Sequence, residues 1–185
     1  MSDNTMGNAA HGGSNYSRTR RRVLVYGSML TVLALLQTTL MTHFRLFGIT
    51  PDLCLLLVLG IAMLDGPESG GAAGLTAGFL EGALGGIGMS FLPLLFFAVG
   101  YGIGRLSGRA LARTFPSYMI FAAVLCFLRP ALTLASIGLA AHTSGFDLTV
   151  IMRGTLIPEF FVNLLFAIPM YPLSRKVNKW VQKKN

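Results

Sequence analysis

Charged side chains are scarce in this chain of 185 residues: 12% are charged, with seven Asp and Glu against fifteen Lys and Arg. Soluble domains carry about 25% charged residues, so this composition excludes a soluble globular protein. It also excludes an intrinsically disordered chain, which needs low hydrophobicity, because 53% of the residues are hydrophobic. The remaining class is a protein that lies in a lipid bilayer.

Cysteine and histidine are too few to predict disulfides or a metal site. Cys54 and Cys126 both lie inside apolar segments and are expected to act as small hydrophobic residues. The three histidines, His11, His43 and His142, lack the spacing of metal ligands. Phosphate-binding loops, nucleophile elbows and paired carboxylates on one helix face are also missing. We therefore expect no enzyme, no catalytic residue, no metal and no cofactor.

The cations are concentrated at the two ends of the chain. Nine of them flank the apolar middle: Arg18, Arg20, Arg21 and Arg22 before it, and Arg175, Lys176, Lys179, Lys183 and Lys184 after it. A net charge of +8 would also suit a nucleic-acid partner, but basic ends around an apolar middle are typical of a membrane protein. No nucleic acid is expected, and the basic tails should contact anionic lipid.

Six apolar segments predict an all-α, polytopic membrane protein with a six-helix transmembrane bundle. The segments are 23–43, 53–64, 66–86, 90–105, 115–142 and 150–173. The first segment is long enough to span a hydrocarbon core of ~30 Å, and it is longer than the apolar region of a signal peptide, which has ~7–15 residues. The second segment is short, so a re-entrant hairpin remains an alternative to a full span there. We divide the chain into a disordered basic cytoplasmic tail (1–20), the transmembrane domain (21–176) and a basic interfacial tail (177–185).

Glycine recurs at every fourth position of the third segment and again in the fourth. The two series are Gly66, Gly70, Gly74, Gly78, Gly82 and Gly86, then Gly100, Gly104 and Gly108. Small residues at this spacing let two membrane helices approach closely. We predict that these two glycine faces pair. Because a four-residue stripe winds around its helix, we also predict that the third helix is central in the bundle.

The positive-inside rule predicts that both termini are cytoplasmic. With six spans, twelve of the fifteen cations fall in the N-tail, the 105–114 loop and the C-tail, and only Arg45, Arg129 and Arg153 fall elsewhere. The inner 65–70 turn holds Asp65 and Glu68 and no cation, but acidic residues contribute little to the rule.

Ionisable groups within the apolar segments are costly and should face protein or water. Glu81, Arg129 and Glu159 are expected at similar depth, and Asn163 follows Glu159 by one helical turn. One interpretation is a polar site for a ligand or ion. The favoured one makes Arg129 a structural counter-ion that holds three helices together.

Several phrases in combination resemble a known family. They are LLQTTL at 35–40, LFGITPDLCLLLVL at 46–59, DGPESGGAAGLTAGFLEGALGG at 65–86, VGYGIGRL at 99–106 and PEFFVNLLFAIPMYPLSRKV at 158–177. On these residues the chain resembles the bacterial rod shape-determining membrane protein family MreD, over about 30–175. Such proteins often have a basic residue where this chain has Asp65 and an aspartate where it has Glu81.

The resemblance implies a non-enzymatic scaffold of the cell-elongation machinery in the inner membrane. Its implied partner is MreC and, through MreC, the actin-like filament and the wall-building polymerase and transpeptidase. It also implies a six-helix fold like that of the S component of energy-coupling-factor transporters. Two other functions stay open: a small-molecule-binding subunit of that type, lined by the polar residues, and a transferase acting on lipid-linked wall precursors.

Overall fold

The computed structural model describes residues 6–43, 51–85, 92–109, 114–140 and 157–182, with side chains over 20–39, 51–84, 92–108, 114–130 and 157–182. Within these ranges the fold is all-helical, with six helices and no strand, which confirms the predicted class at that level. The helices are α1 (Met6–His43), α2 (Leu53–Asp65), α3 (Pro67–Gly85), α4 (Leu92–Arg109), α5 (Phe115–Ala140) and α6 (Ile157–Gln182). Gly86, His142 and residues 150–156 lie outside the described residues.

Both ends of the bundle are helical further than predicted. α1 begins at Met6, so helix is described over most of the segment 1–20 that the sequence analysis assigned to a disordered tail. Adding a residue to an existing helix costs far less than starting one, and the apolar segment that follows supplies the start. α6 likewise continues to Gln182, through most of the segment assigned to the C-terminal tail.

The central helix is α2, and the prediction that the third helix is central is wrong. α2 packs against each of the other five helices. All eleven residues from Leu53 to Met63 are buried. A helix that is apolar on every side is buried on every side, and α2 has no polar face that would have to turn outward.

α3 and α4 form the closest helix pair, through the two glycine series. A Cβ on Gly70 would lie 2.6 Å from the carbonyl oxygen of Gly100, and one on Gly104 would lie 2.5 Å from the Cα of Pro67. Gly74 and Gly78 approach the backbone of the first turns of α4 in the same way. Gly82, predicted to take part, has nothing within 4 Å of its Cβ position, so the close contact ends before it.

A one-residue connection joins α2 to α3. Gly66 has φ +99°, a conformation that side-chain-bearing residues rarely adopt, and its N–H donates to Ala62 O at 3.2 Å. Pro67 then starts α3, where its missing N–H costs no helical hydrogen bond. This tight turn brings the glycine series of α3 beside α2 and α4.

Large apolar side chains point outward from each of the five helices around α2. One example from each is Val32 (64% exposed), Phe79 (64%), Leu94 (68%), Phe127 (59%) and Phe161 (64%). Two stretches, Arg20–Thr39 and Ile157–Gln182, are long and apolar enough to cross a membrane. Three more apolar helical stretches in the described part are shorter: Leu53–Asp65, Leu92–Gly108 and Phe115–Pro130.

Candidate buried polar site

Arg129 lies between two carboxylates contributed by two other helices. Its Nη2 donates to Glu81 Oε2 at 2.7 Å, and its Nη1 forms an ion pair with Asp52 Oδ2. The side chain of Asp52 is 1% exposed, that of Glu81 10% and that of Arg129 26%. Two nitrogens of one guanidinium thus hold two carboxylates side by side.

Asp52 also begins α2. Its Oδ1 accepts the N–H of Leu55 at 3.1 Å, which is the hydrogen bond of an N-cap residue. The backbone N–H of Asp52 donates to Asn163 Oδ1 at 2.6 Å. The local sequence explains the position: a proline and an aspartate directly precede the apolar run of α2.

Gln37 of α1 completes the cap of α2. Its Oε1 accepts the N–H groups of Leu53 at 3.1 Å and Cys54 at 3.4 Å. The first N–H groups of a helix have no partner within the helix, and here they are buried away from water. Side chains from three segments therefore accept hydrogen bonds from the backbone N–H groups at the start of the central helix.

An aromatic ring borders the charged group. The Phe96 ring of α4 lies 5.8 Å from the guanidinium carbon of Arg129, within the range of a cation–π interaction. Phe96 itself is fully buried. All six helices thus contribute a side chain to, or immediately beside, one polar site, which we call the α2 cap site: Gln37, Asp52, Glu81, Phe96, Arg129 and Asn163.

The structure places the four predicted polar residues as follows. Glu81 and Arg129 are bonded directly, and Asn163 joins them through Asp52. Glu159 lies in the first turn of α6, one turn before Asn163, and none of the ion pairs among the described residues includes it. Asp52 and Gln37 were missed by the sequence analysis. The Pro-Asp pair before an apolar run could have indicated Asp52, whereas nothing in the sequence singles out Gln37.

The chemistry available at the α2 cap site is electrostatic. No group of three His, Cys, Asp or Glu that could hold a metal ion occurs in the described part of the chain. Removing charges from water is costly unless they are paired and hydrogen-bonded, and here both carboxylates pair with the single guanidinium of Arg129. The arrangement links five helices through their polar side chains and fixes where the central helix begins.

A second polar cluster lies at the opposite end of α2. Arg22 Nη2 is 3.5 Å from Asp65 Oδ1, and the side chain of Asp65 is only 3% exposed. Asn178 Nδ2 donates to the hydroxyl of Tyr26 at 3.4 Å, and Arg21 Nη2 donates to Trp180 O at 3.0 Å. The arginine-containing middle part of α1 is thus joined to the C-terminal part of α6 and to the end of α2.

Comparisons of the chain with protein-family models, with curated proteins and with solved structures find no significant match in any of the three. What the described residues define is therefore a class: an all-helical protein with two helices long and apolar enough to cross a membrane.

Proposed function

We propose that this chain is a polytopic inner-membrane scaffold of the MreD type, a non-enzymatic component of the bacterial cell-elongation machinery that binds MreC. The observation that carries the membrane part of the proposal is the distribution of side chains. Phe, Leu and Val side chains are exposed on five helices, while Asp52 and Asn163 are buried inside. Such a distribution is unfavourable in water and favourable in lipid.

The scaffold part of the proposal rests on the contacts that the buried polar side chains and the glycines make inside the bundle. Glu81, Arg129, Asp52 and Asn163 bond to one another and to the backbone of α2. Helix packing by glycine brings α3 and α4 together without large side chains. The resemblance to MreD supplies the biological role. We expect contacts within the bilayer, through the exposed apolar side chains of the bundle, to provide most of the affinity for MreC.

Partner binding can be located by crosslinking in native membranes. A photoreactive amino acid is placed, one variant at a time, at the five outward positions Val32, Phe79, Leu94, Phe127 and Phe161. We expect crosslinks to MreC from one or two neighbouring helices. Leu57, which is fully buried in α2, is the control and should give none.

The cellular role is tested by depletion. Loss of this chain should make rod-shaped cells round and abolish co-purification of MreC with the wall polymerase and transpeptidase. Retained rod shape, together with an intact complex that lacks this chain and no crosslink from any outward position, would contradict the proposal.

A small-molecule-binding subunit of the S-component type is the second candidate. The observation that favours it is that Arg129 keeps 26% of its side chain exposed although two carboxylates bind it. A solute that raises the melting temperature of the purified protein, but not that of Arg129→Ala, would support this candidate. The ion pairs that already occupy Arg129 favour the scaffold.

A further inference from the structure

Glu81 has one carboxylate oxygen that its ion pair leaves unused. Oε2 accepts from Arg129, whereas Oε1 is buried and makes no hydrogen bond to any described residue. Gln37 and Asp52 lie beside this carboxyl group. A buried acceptor without a partner is costly, so this oxygen calls for a donor or a cation.

The charges around Glu81 leave an excess of negative charge. Asp52 and Glu81 face a single guanidinium, and Glu159 adds a third carboxylate nearby on α6. From the other helices, α1 contributes the neutral Gln37, α2 also contributes the thiol of Cys54, and α4 contributes the ring of Phe96. Two neighbouring carboxylates repel each other unless one of them is neutralised.

We propose that Asp52 and Glu81 share one bound proton, which makes the α2 cap site a proton-binding site. One carboxyl group donates its O–H to the carboxylate of the other, and the remaining negative charge is balanced by Arg129. This gives the buried oxygen of Glu81 a partner and gives the Asp52, Glu81 and Arg129 group a net charge of zero. The inference does not depend on the scaffold function, because it concerns the interior of the bundle.

A proton fits the site better than a metal ion. Metal ions of the sizes found in proteins need several oxygen, nitrogen or sulfur ligands, and no suitable group of three is present among the described residues. A proton needs only two acceptor oxygens. The shared proton would link Glu81 of α3 to Asp52 at the start of α2. The hydrogen bond from Arg129 to Glu81 already links α5 to α3.

Infrared spectroscopy of the purified full-length protein in lipid nanodiscs tests the proposal directly. At neutral pH we expect the carbonyl band of a protonated carboxyl group, shifted by exchange into deuterium oxide. The band should be lost in Glu81→Gln and also in Asp52→Asn, because each variant removes the repulsion that holds the proton. Glu68→Gln, an exposed position in the first turn of α3, is the matched control and should keep the band.

Melting temperature provides a second readout. Glu81→Gln keeps the size of a protonated Glu and removes the group that ionises. The melting temperature of this variant should therefore not fall over the pH range in which the wild type loses stability as pH rises. The proposal is overturned if the wild type shows no protonated-carboxyl band, or if the band persists in either Glu81→Gln or Asp52→Asn. A bound sodium ion in place of the proton would also overturn it. The sign of that would be a wild type that shows no protonated-carboxyl band and is stabilised by sodium chloride but not by choline chloride.

Discussion

Gly70 and Gly100 face each other across the interface of α3 and α4, so closely that a Cβ on Gly70 would lie 2.6 Å from the carbonyl oxygen of Gly100. Real side chains do not approach a backbone oxygen at that distance. Contact between two backbones gives many van der Waals interactions along the helices without ordering any side chain. The interface therefore requires glycine, whose side chain is a single hydrogen atom, at both positions.

Replacing Gly100 by alanine should destabilise the bundle. The added methyl group would overlap the backbone of α3, and overpacking of this kind costs about 1–3 kcal/mol. Gly102→Ala is the matched control, because nothing lies within 4 Å of that Cβ position on the same helix. The measurement is thermal unfolding of both purified variants in one detergent. Equal melting temperatures would show that α3 and α4 do not pack as described.

The glycine pairing of α3 and α4 was predictable from the sequence, because close helix contact in a membrane depends on small residues that can be read directly. The identity of the central helix was predicted wrongly. Glycine spacing indicates where one neighbour can approach, whereas centrality requires an apolar surface on all sides. The segment from Leu53 to Met63 has an apolar surface on all sides. Because the segment is short, the sequence analysis did not identify it as the central helix.

The α2 cap site was only half predictable for a related reason. Glu81 and Arg129 stand out as charges within apolar segments. Asp52 stands at the border of its segment, where an acidic residue has several ordinary explanations. Gln37 carries no charge, and its role arises only because the bundle buries the start of α2 beside it. The N–H groups at the start of α2 need a side-chain acceptor only because the tertiary structure buries them, and the local sequence around Gln37 does not show this.

Removing Arg129 should cost more than removing any exposed cation. Arg129→Met leaves Asp52 and Glu81 buried without a positive partner, and breaking a buried ion pair in this way costs about 3–5 kcal/mol. Arg105→Met is the control, because Arg105 is exposed on α4 and, among the described residues, donates to the hydroxyl of Tyr101 at 3.3 Å. Yield and melting temperature of the two proteins are compared.

The same idea predicts a partial rescue. Arg129→Met combined with Glu81→Gln leaves one carboxyl group, and not two, without its positive partner, so the double variant should be more stable than Arg129→Met alone. If the two substitutions are simply additive in their cost, the ion pair does not contribute in the way the geometry indicates.

Asn163 should be needed for an ordered start of α2. Asn163→Val removes the acceptor of the Asp52 N–H, and an unsatisfied buried donor costs about 1–3 kcal/mol. Hydrogen exchange measures this directly, since the amides of residues 52–55 should exchange faster in the variant. Thr76→Val makes a comparable change at an exposed position of α3, where it should leave those amides unaffected. Unchanged protection in Asn163→Val would argue against the cap.

The direction of the helices is predicted by their charges and can be tested with reporter fusions. Fusions after Ala112 and after Asn185 should read as cytoplasmic, and a fusion near Gly145 as periplasmic, because basic segments stay on the cytoplasmic side. Asp65, the acidic exception at the inner side, is compatible with this direction because Arg22 lies 3.5 Å from its carboxylate. A periplasmic C-terminus combined with a cytoplasmic N-terminus would rule out an even number of spans. Carbonate washing of membranes should also leave the protein in the pellet, and its release without detergent would exclude the bundle from the bilayer altogether.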